Sequence, residues 1–299
     1  MGILKGLRAL KAAALGNMTA TEMQAYLAVA DNRAGFQKAI RLPSQFAMIS
    51  ASAAAGSSLT GSGLAMTDIC AATDTGSGGL LAALLSSAVT QSAVLNTATS
   101  FNAILSSSKG TATLGLNATV LGIVVNSASL MAAVAAIPEA FVNEAACATA
   151  ACANNTAVSA LFNSSTARAA IAVSTVFIAT LSVSTPAKAW VVANKQLSRN
   201  TDNDDGVVGT FVPFGAGFPS RILIITTAMF QNNPGGTMTY KSVLARGAGT
   251  GGTGDLMIMG TPPPGGPATL WSTFNAPAFD LTIGGAGGYA QVIKYVDMT

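Results

Sequence analysis

Few residues in this chain are equipped for chemistry, and their spacing decides what they could do. The 299 residues contain no histidine. That excludes Ser-His-Asp and Cys-His nucleophile pairs, His-ligated zinc, haem on a proximal histidine and imidazole acid–base work. Ser106-Ser107-Ser108-Lys109 holds a Ser-x-x-Lys spacing, but no Lys-Thr-Gly element accompanies it, so it reads as a chance match in a serine-rich tract. Asp202, Asp204 and Asp205 could offer oxygens to calcium. Their spacing is one residue short of an EF-hand start and no glutamate follows at the twelfth position, so a hydrated linker is the reading preferred. Gly247–Gly252 superficially resembles a nucleotide loop without the Lys-Ser/Thr of a P-loop. No cofactor, metal site or catalytic residue is assigned, and the chain is read as non-enzymatic.

The three cysteines form no CxxC pair: Cys147 and Cys152 are five apart, and Cys70 stands alone. They read either as small buried thiols in an alanine-rich interface or as interchain disulfides between neighbouring copies. Trp271 and Phe274, with Phe279 beside a proline-rich loop, read either as core of a β domain or as a platform for a host receptor or glycan.

Charge places these residues in segments. Only 9% of residues are charged and the formal net charge is +3, too little Lys and Arg for phosphate binding, so no nucleic-acid partner is expected. Residues 1–45 carry six Lys/Arg against two Asp/Glu. Leu4, Leu7 and Leu10 alternate with Lys5, Arg8 and Lys11 as a short basic amphipathic stretch. Thr19-Ala20-Thr21-Glu22 fits a capping box that opens a helix running to about Arg41, before Pro43 stops it. Lys5, Arg8, Lys11, Arg33, Lys38 and Arg41 are therefore candidate docking residues, or simply a solvated helix face. Arg8 and Lys11 interrupt the apolar core that a signal peptide would need.

Residues 46–187 hold six charges: Asp68, Asp74, Lys109, Glu139, Glu144 and Arg168. Ala, Ser and Thr make 73 of those 142 residues. Larger apolar residues recur near every ten positions, as Leu81/Leu84, Phe101/Ile104, Leu121/Val124 and Met131/Val134, then singly at Val94, Leu114, Phe141, Leu161 and Ile171. Such a period marks an internal repeat. Ten residues over three turns is about 3.3 per turn, too tight for a straight helix or an ordinary coiled coil. Short helices broken at Ser/Thr clusters, or a tight solenoid with one unit per repeat, remain; the first is preferred. A single thin copy would leave its apolar stripe uncovered, so self-association is expected. Two uncharged stretches, Asn117–Ile137 and Ala169–Ala187, have the length of membrane spans, but their Ser, Thr, Asn and Ala content argues against insertion.

A charged linker, 188–206, leads to residues 207–299, which hold 17 of 31 glycines, 8 of 11 prolines and 10 of 18 aromatics. Arg221–Thr227, Leu256–Met259 and Tyr289–Val296 read as strands of a small β-sandwich or barrel. The expected fold class is thus elongated α + β: N-terminal helices, an Ala/Ser/Thr-rich, mostly helical repeat, and a C-terminal β domain.

Met18–Tyr26, Asn32–Ala39 and repeat units such as Ser129–Val134 and Asn163–Ile171 together resemble tail-fibre and other virion fibre proteins of tailed bacteriophages, over about residues 18–187. The resemblance implies a homotrimer, docking to other virion proteins through residues 1–45, an oligomerisation shaft over 46–187 and host contact by 207–299. The repeats are interrupted by glycines and Pro138, unlike a long continuous rod. The alternatives are a bacterial surface adhesin or membrane-associated protein, and a depolymerase fibre using two of Asp255, Asp280 and Asp297.

Overall fold

The computed structural model describes residues 15–73, 79–198 and 295–299. Seventeen helices occur among them: α1 (Ala20–Leu27), α2 (Ala30–Ala39), α3 (Pro43–Ser50), α4 (Ala53–Thr60), α5 (Gly63–Ala72), α6 (Gly79–Ser86), α7 (Gln91–Asn96), α8 (Ala98–Leu105), α9 (Ser108–Gly115), α10 (Ala118–Asn126), α11 (Ala128–Ala136), α12 (Glu139–Val142), α13 (Ala145–Cys152), α14 (Asn155–Asn163), α15 (Ser165–Val173), α16 (Thr175–Val183) and α17 (Thr185–Lys195). The contacts divide the chain into two compact units, 1–167 and 168–299.

The ten-residue period is one short helix plus one corner residue. Ser127 shows how a corner is made. It lies extended (φ −95°, ψ 116°), closing α10 and opening α11 at once. Its N–H donates back to Val124 while its hydroxyl accepts from the N–H of Leu130 at 3.3 Å. The two helices it joins are bent by 91°. Ser107, Asn117, Asn154 and Ser164 repeat the cap, accepting from Gly110, Val120, Ala157 and Ala167 at 3.1–3.2 Å. Each satisfies a backbone donor that the start of a helix leaves free.

Counting from the cap, positions +3, +4, +7 and +8 point inward. Asn117 sets Val120, Leu121, Val124 and Val125 inside; Asn154 does the same for Ala157, Val158, Leu161 and Phe162. Every large residue of the ten-residue series is buried: Leu81, Leu84, Val94, Phe101, Ile104, Leu114, Leu121, Val124, Met131, Val134, Phe141, Leu161 and Ile171. Helices of eight or nine residues are marginal alone, and packing supplies what their length does not.

In the first unit the cover comes from three helices further along the chain. α1 packs on α4, α3 on α6, α5 on α8, α6 on α9, α10 on α13 and α11 on α14. Three repeats therefore bring the chain back over itself as a solenoid. This removes the ground for requiring self-association: the stripe needs no second chain, because the same chain covers it. One irregularity interrupts the register. Pro138 opens the four-residue α12, whose Phe141 and Val142 are fully buried, and the next cap is Glu144 rather than a residue ten after Ser127.

Among the described residues the second unit holds most of α15, α16, α17 and one antiparallel strand pair, β1 (Leu197–Asn200) with β2 (Gly288–Asp297), Leu197 opposite Tyr295. Val296 and Met298 are buried, and the Arg168 guanidinium donates to the Thr299 carbonyl at 2.9 Å.

The expected fold class is corrected accordingly. The described residues form a helical array with a single two-stranded pairing, and no C-terminal β-sandwich or barrel is found among them. Glycine-punctuated β-branched runs fix local extension, but burying two sheet faces against each other is a long-range outcome that those runs do not specify. The single helix expected from Thr19 to Arg41 is also corrected: it breaks at Ala28–Val29 into α1 and α2, because Val29 adopts an extended conformation and starts a new helix.

Candidate docking surface

The capping box forms as the sequence suggests. The N–H and hydroxyl of Thr19 both donate to the Glu22 carboxylate, at 2.8 and 3.0 Å, and the Glu22 N–H donates to the Thr19 hydroxyl at 3.2 Å. These bonds hold the Glu22 carboxyl below its ordinary value. α1 is thereby fixed in place, and Gln24 on it accepts from the Ser62 hydroxyl and the Leu64 N–H at 2.9 and 3.0 Å, tying α1 to the start of α5.

The candidate docking cations among the described residues, Arg33, Lys38 and Arg41, differ in their surroundings. Arg33 is tied inward: its Nε and terminal nitrogen donate to the two oxygens of Asp68 at 2.8 and 2.7 Å, and Gln37 donates to the same carboxylate at 3.0 Å. Asp68 is 4% exposed and Arg33 36%. The carboxylate raises the Arg33 pKa, and a forked pair of this kind fixes α2 on α5 rather than offering a free charge. The docking assignment of Arg33 is corrected for that reason. Lys38 and Arg41 are exposed. Lys5, Arg8 and Lys11 lie outside the described residues, as do Trp271, Phe274, Asp202, Asp204, Asp205 and the 247–252 loop.

The cysteines sit in the helical register. Cys147 and Cys152 occupy positions +3 and +8 after Glu144, and Cys70 is +8 after Ser62. All three are buried and none is in a disulfide. Burial pushes the Cys70 and Cys152 thiols up to about 12, and Cys147 upward too, with Glu144 adding to it. Buried protonated thiols are poor partners for exchange, so an interchain bridge would need the helices to open first. Among the described residues, no group of three or more His, Cys, Asp or Glu is placed to hold a metal ion.

Lys109 is the side chain that sequence reasoning passed over. Ser107 of the discarded Ser-x-x-Lys caps α9, and the Lys109 ammonium reaches across a turn of the array to the Ala71 carbonyl, 3.3 Å away. Beside it a hollow of about 420 Å³ is lined by Ile40, Arg41, Pro43, Phe46, Ala71 and Lys109, among others. The available signal was rarity, since Lys109 is the one cation between residues 46 and 167. A second, shallower groove runs between α5 and α8, lined by Thr67, Thr99, Asn102 and Ser106, and also reaches Lys109.

Among the described residues no single helix is long and apolar enough to cross a membrane. Two pairs would pass by composition, α10–α11 and α15–α16, but they are bent by 91° and 93°. In the first pair Val120, Leu121, Val124, Leu130, Met131 and Val134 face the array's own core. No protein-family model matches the chain, and a search of characterised proteins returns no match.

Proposed function

We propose that this chain is a non-enzymatic structural component of a tailed-bacteriophage particle, a fibre or related appendage in which the helical array serves as a folded spacer. One observation carries this reading: ten-residue units, built from small and neutral residues, stack three along the chain into a self-supporting body. Their Ser and Asn side chains cap the helices at the corners. The resemblance of residues 18–187 to virion fibre proteins supplies the setting. Docking to the particle is assigned to the N-terminal end, where exposed Lys38 and Arg41 flank the first turn of the array. Trimerisation rests on the resemblance alone, since the apolar stripe is covered within one chain.

The packing of α1 and α2 shapes the test. Met23, Leu27, Phe36 and Ile40 are buried, so removing residues 1–45 would strip a turn from the array as well as any docking segment. The cleaner variant lacks residues 1–14. The wild-type chain should be present at fixed copy number in gradient-purified particles, measured by quantitative mass spectrometry. The truncated chain should still melt cooperatively as a folded protein, yet be lost from particles. Absence of the wild-type chain from particles overturns the reading; normal incorporation of the truncation overturns the N-terminal docking.

A further inference from the structure

We infer that the array is a length-setting device: the first unit extends in steps of three helices, whatever number of residues those helices hold. The purpose of the device rests on the spacer reading, but its test uses purified protein and is decided without particles.

The observation is a mismatch between two counts. Closure falls on the third helix along, as α1 meets α4, α8 meets α11, α9 meets α12, α10 meets α13 and α11 meets α14. The number of residues between the paired helices is not constant. From cap to cap, Thr19 and Ser52 are 33 positions apart, Thr97 and Ser127 are 30, and Asn117 and Glu144 are 27. Six residues of helix span about 9 Å, enough to carry a helix off its neighbour. Each closure is nevertheless kept.

The short helix α12 shows what is being counted. It has four residues, yet α10 still meets α13 across it. Counting from Pro138, its Phe141 and Val142 stand at +3 and +4, and both are fully buried. A unit therefore needs a corner and one inward pair, and the pair at +7 and +8 can be left out. Stacking between neighbours alone is the condition under which a repeat array gains units without rebuilding the rest. Adding one or two helices instead would bring Leu130 and Met131 of α11 against a helix other than α8.

The sequence supplies joints for the test. Thr97 and Ser127 are both extended caps preceded by asparagine. A second copy of 97–126 placed after Asn126 thus adds α8, α9 and α10 through joints of the native kind. Nitroxide labels on Thr67→Cys in α5 and Thr156→Cys in α14 report length, because both positions are exposed and α5, α8, α11 and α14 form one column. The native thiols are buried. Pulsed electron spin resonance should give one distance, longer than in the labelled wild type by about 8–10 Å, one helix spacing. A 27-residue copy of 127–153 placed after Ala153 should add the same distance, and both variants should melt as sharply as the wild type. A 20-residue copy of 107–126 placed after Asn126 adds two helices through similar joints. It should either loop out, leaving the wild-type distance, or broaden the melt. A single lengthened distance from the 20-residue copy overturns the inference. So does either whole-turn copy that fails to fold or leaves the distance unchanged.

Discussion

Two seams of the first unit share one geometry and differ in chemistry. Where α2 meets α5, the cross-turn bonds are ionic: Arg33 and Gln37 converge on a nearly buried Asp68. Where α14 closes over α10 and α11, they are neutral. The Asn154 amide caps its own helix and donates to Asn126 at 2.7 Å, and Ser164 donates to the Ala135 carbonyl at 2.9 Å. In both, a side chain from one turn satisfies a polar group on the turn before. The difference teaches that stacking in this array does not depend on charge. Apolar positions set the register, and whichever short polar side chain stands at the corner completes it. Among the described residues, charge is used at the seam of α2 and α5 and neutral amide and hydroxyl groups at that of α14 with α10 and α11.

If the apolar register is common to both seams, its loss should be the most damaging change to either. Phe101 is 1% exposed, and Phe101→Ala should cost about 3–5 kcal/mol of unfolding free energy by chemical denaturation. A loss below about 1 kcal/mol would mean that the polar corners hold the array instead. The seams themselves separate next. Asp68→Asn removes the charge, but Arg33 is partly solvated, so about 1–2 kcal/mol is expected. Asn154→Ala should cost a similar amount through the lost cap and the lost partner of Asn126. Salt distinguishes them: raising ionic strength should shrink the Asp68→Asn effect and leave that of Asn154→Ala unchanged.

Two glycines refine the picture at smaller amplitude. A Cβ on Gly110 would lie 2.8 Å from the Ile104 carbonyl oxygen and 3.0 Å from its Cα, while one on Gly122 meets nothing within 4 Å. Gly110→Ala should destabilise by about 1–3 kcal/mol, and Gly122→Ala should stabilise by up to about 1 kcal/mol through helix propensity. The same thermal melts read both, and equal effects would contradict the close stacking at α9. The smallest effect belongs to the capping box. Glu22 titrates lower in the folded chain than its ordinary value of 4.5, so its contribution is intact above that pH and fades as pH falls through the folded value. Amide exchange at the start of α1 should rise at acid pH in the wild type and be already fast in Glu22→Ala.

Much of the array was legible because its signals are local. The ten-residue series of large apolar residues names the core correctly, and Thr19–Glu22 predicts its own capping box. The serines at the corners carried their meaning too, since a residue that competes for backbone bonds favours helix ends. What could not be read was the return of the chain. Whether a stripe is covered by a second molecule or by the helix three units on depends on the turn at each corner, and a single extended residue such as Ser127 sets that turn without any distinctive sequence. Arg33 was misread for the same reason: its partner, Asp68, lies 35 residues away. Lys109 and Arg41, 68 positions apart, meet only once the turns are stacked.

The central claim is that one chain covers its own apolar stripe, and a single cross-link tests it. The side chains of Asn126 and Asn154 are in hydrogen-bond contact across a turn. With Cys70, Cys147 and Cys152 replaced by alanine, Asn126→Cys and Asn154→Cys in one chain should oxidise to a bridge within that chain. Mass spectrometry would then find a monomer two hydrogens lighter, whose peptides around positions 126 and 154 separate only on reduction. Bridges found solely between chains would contradict the account.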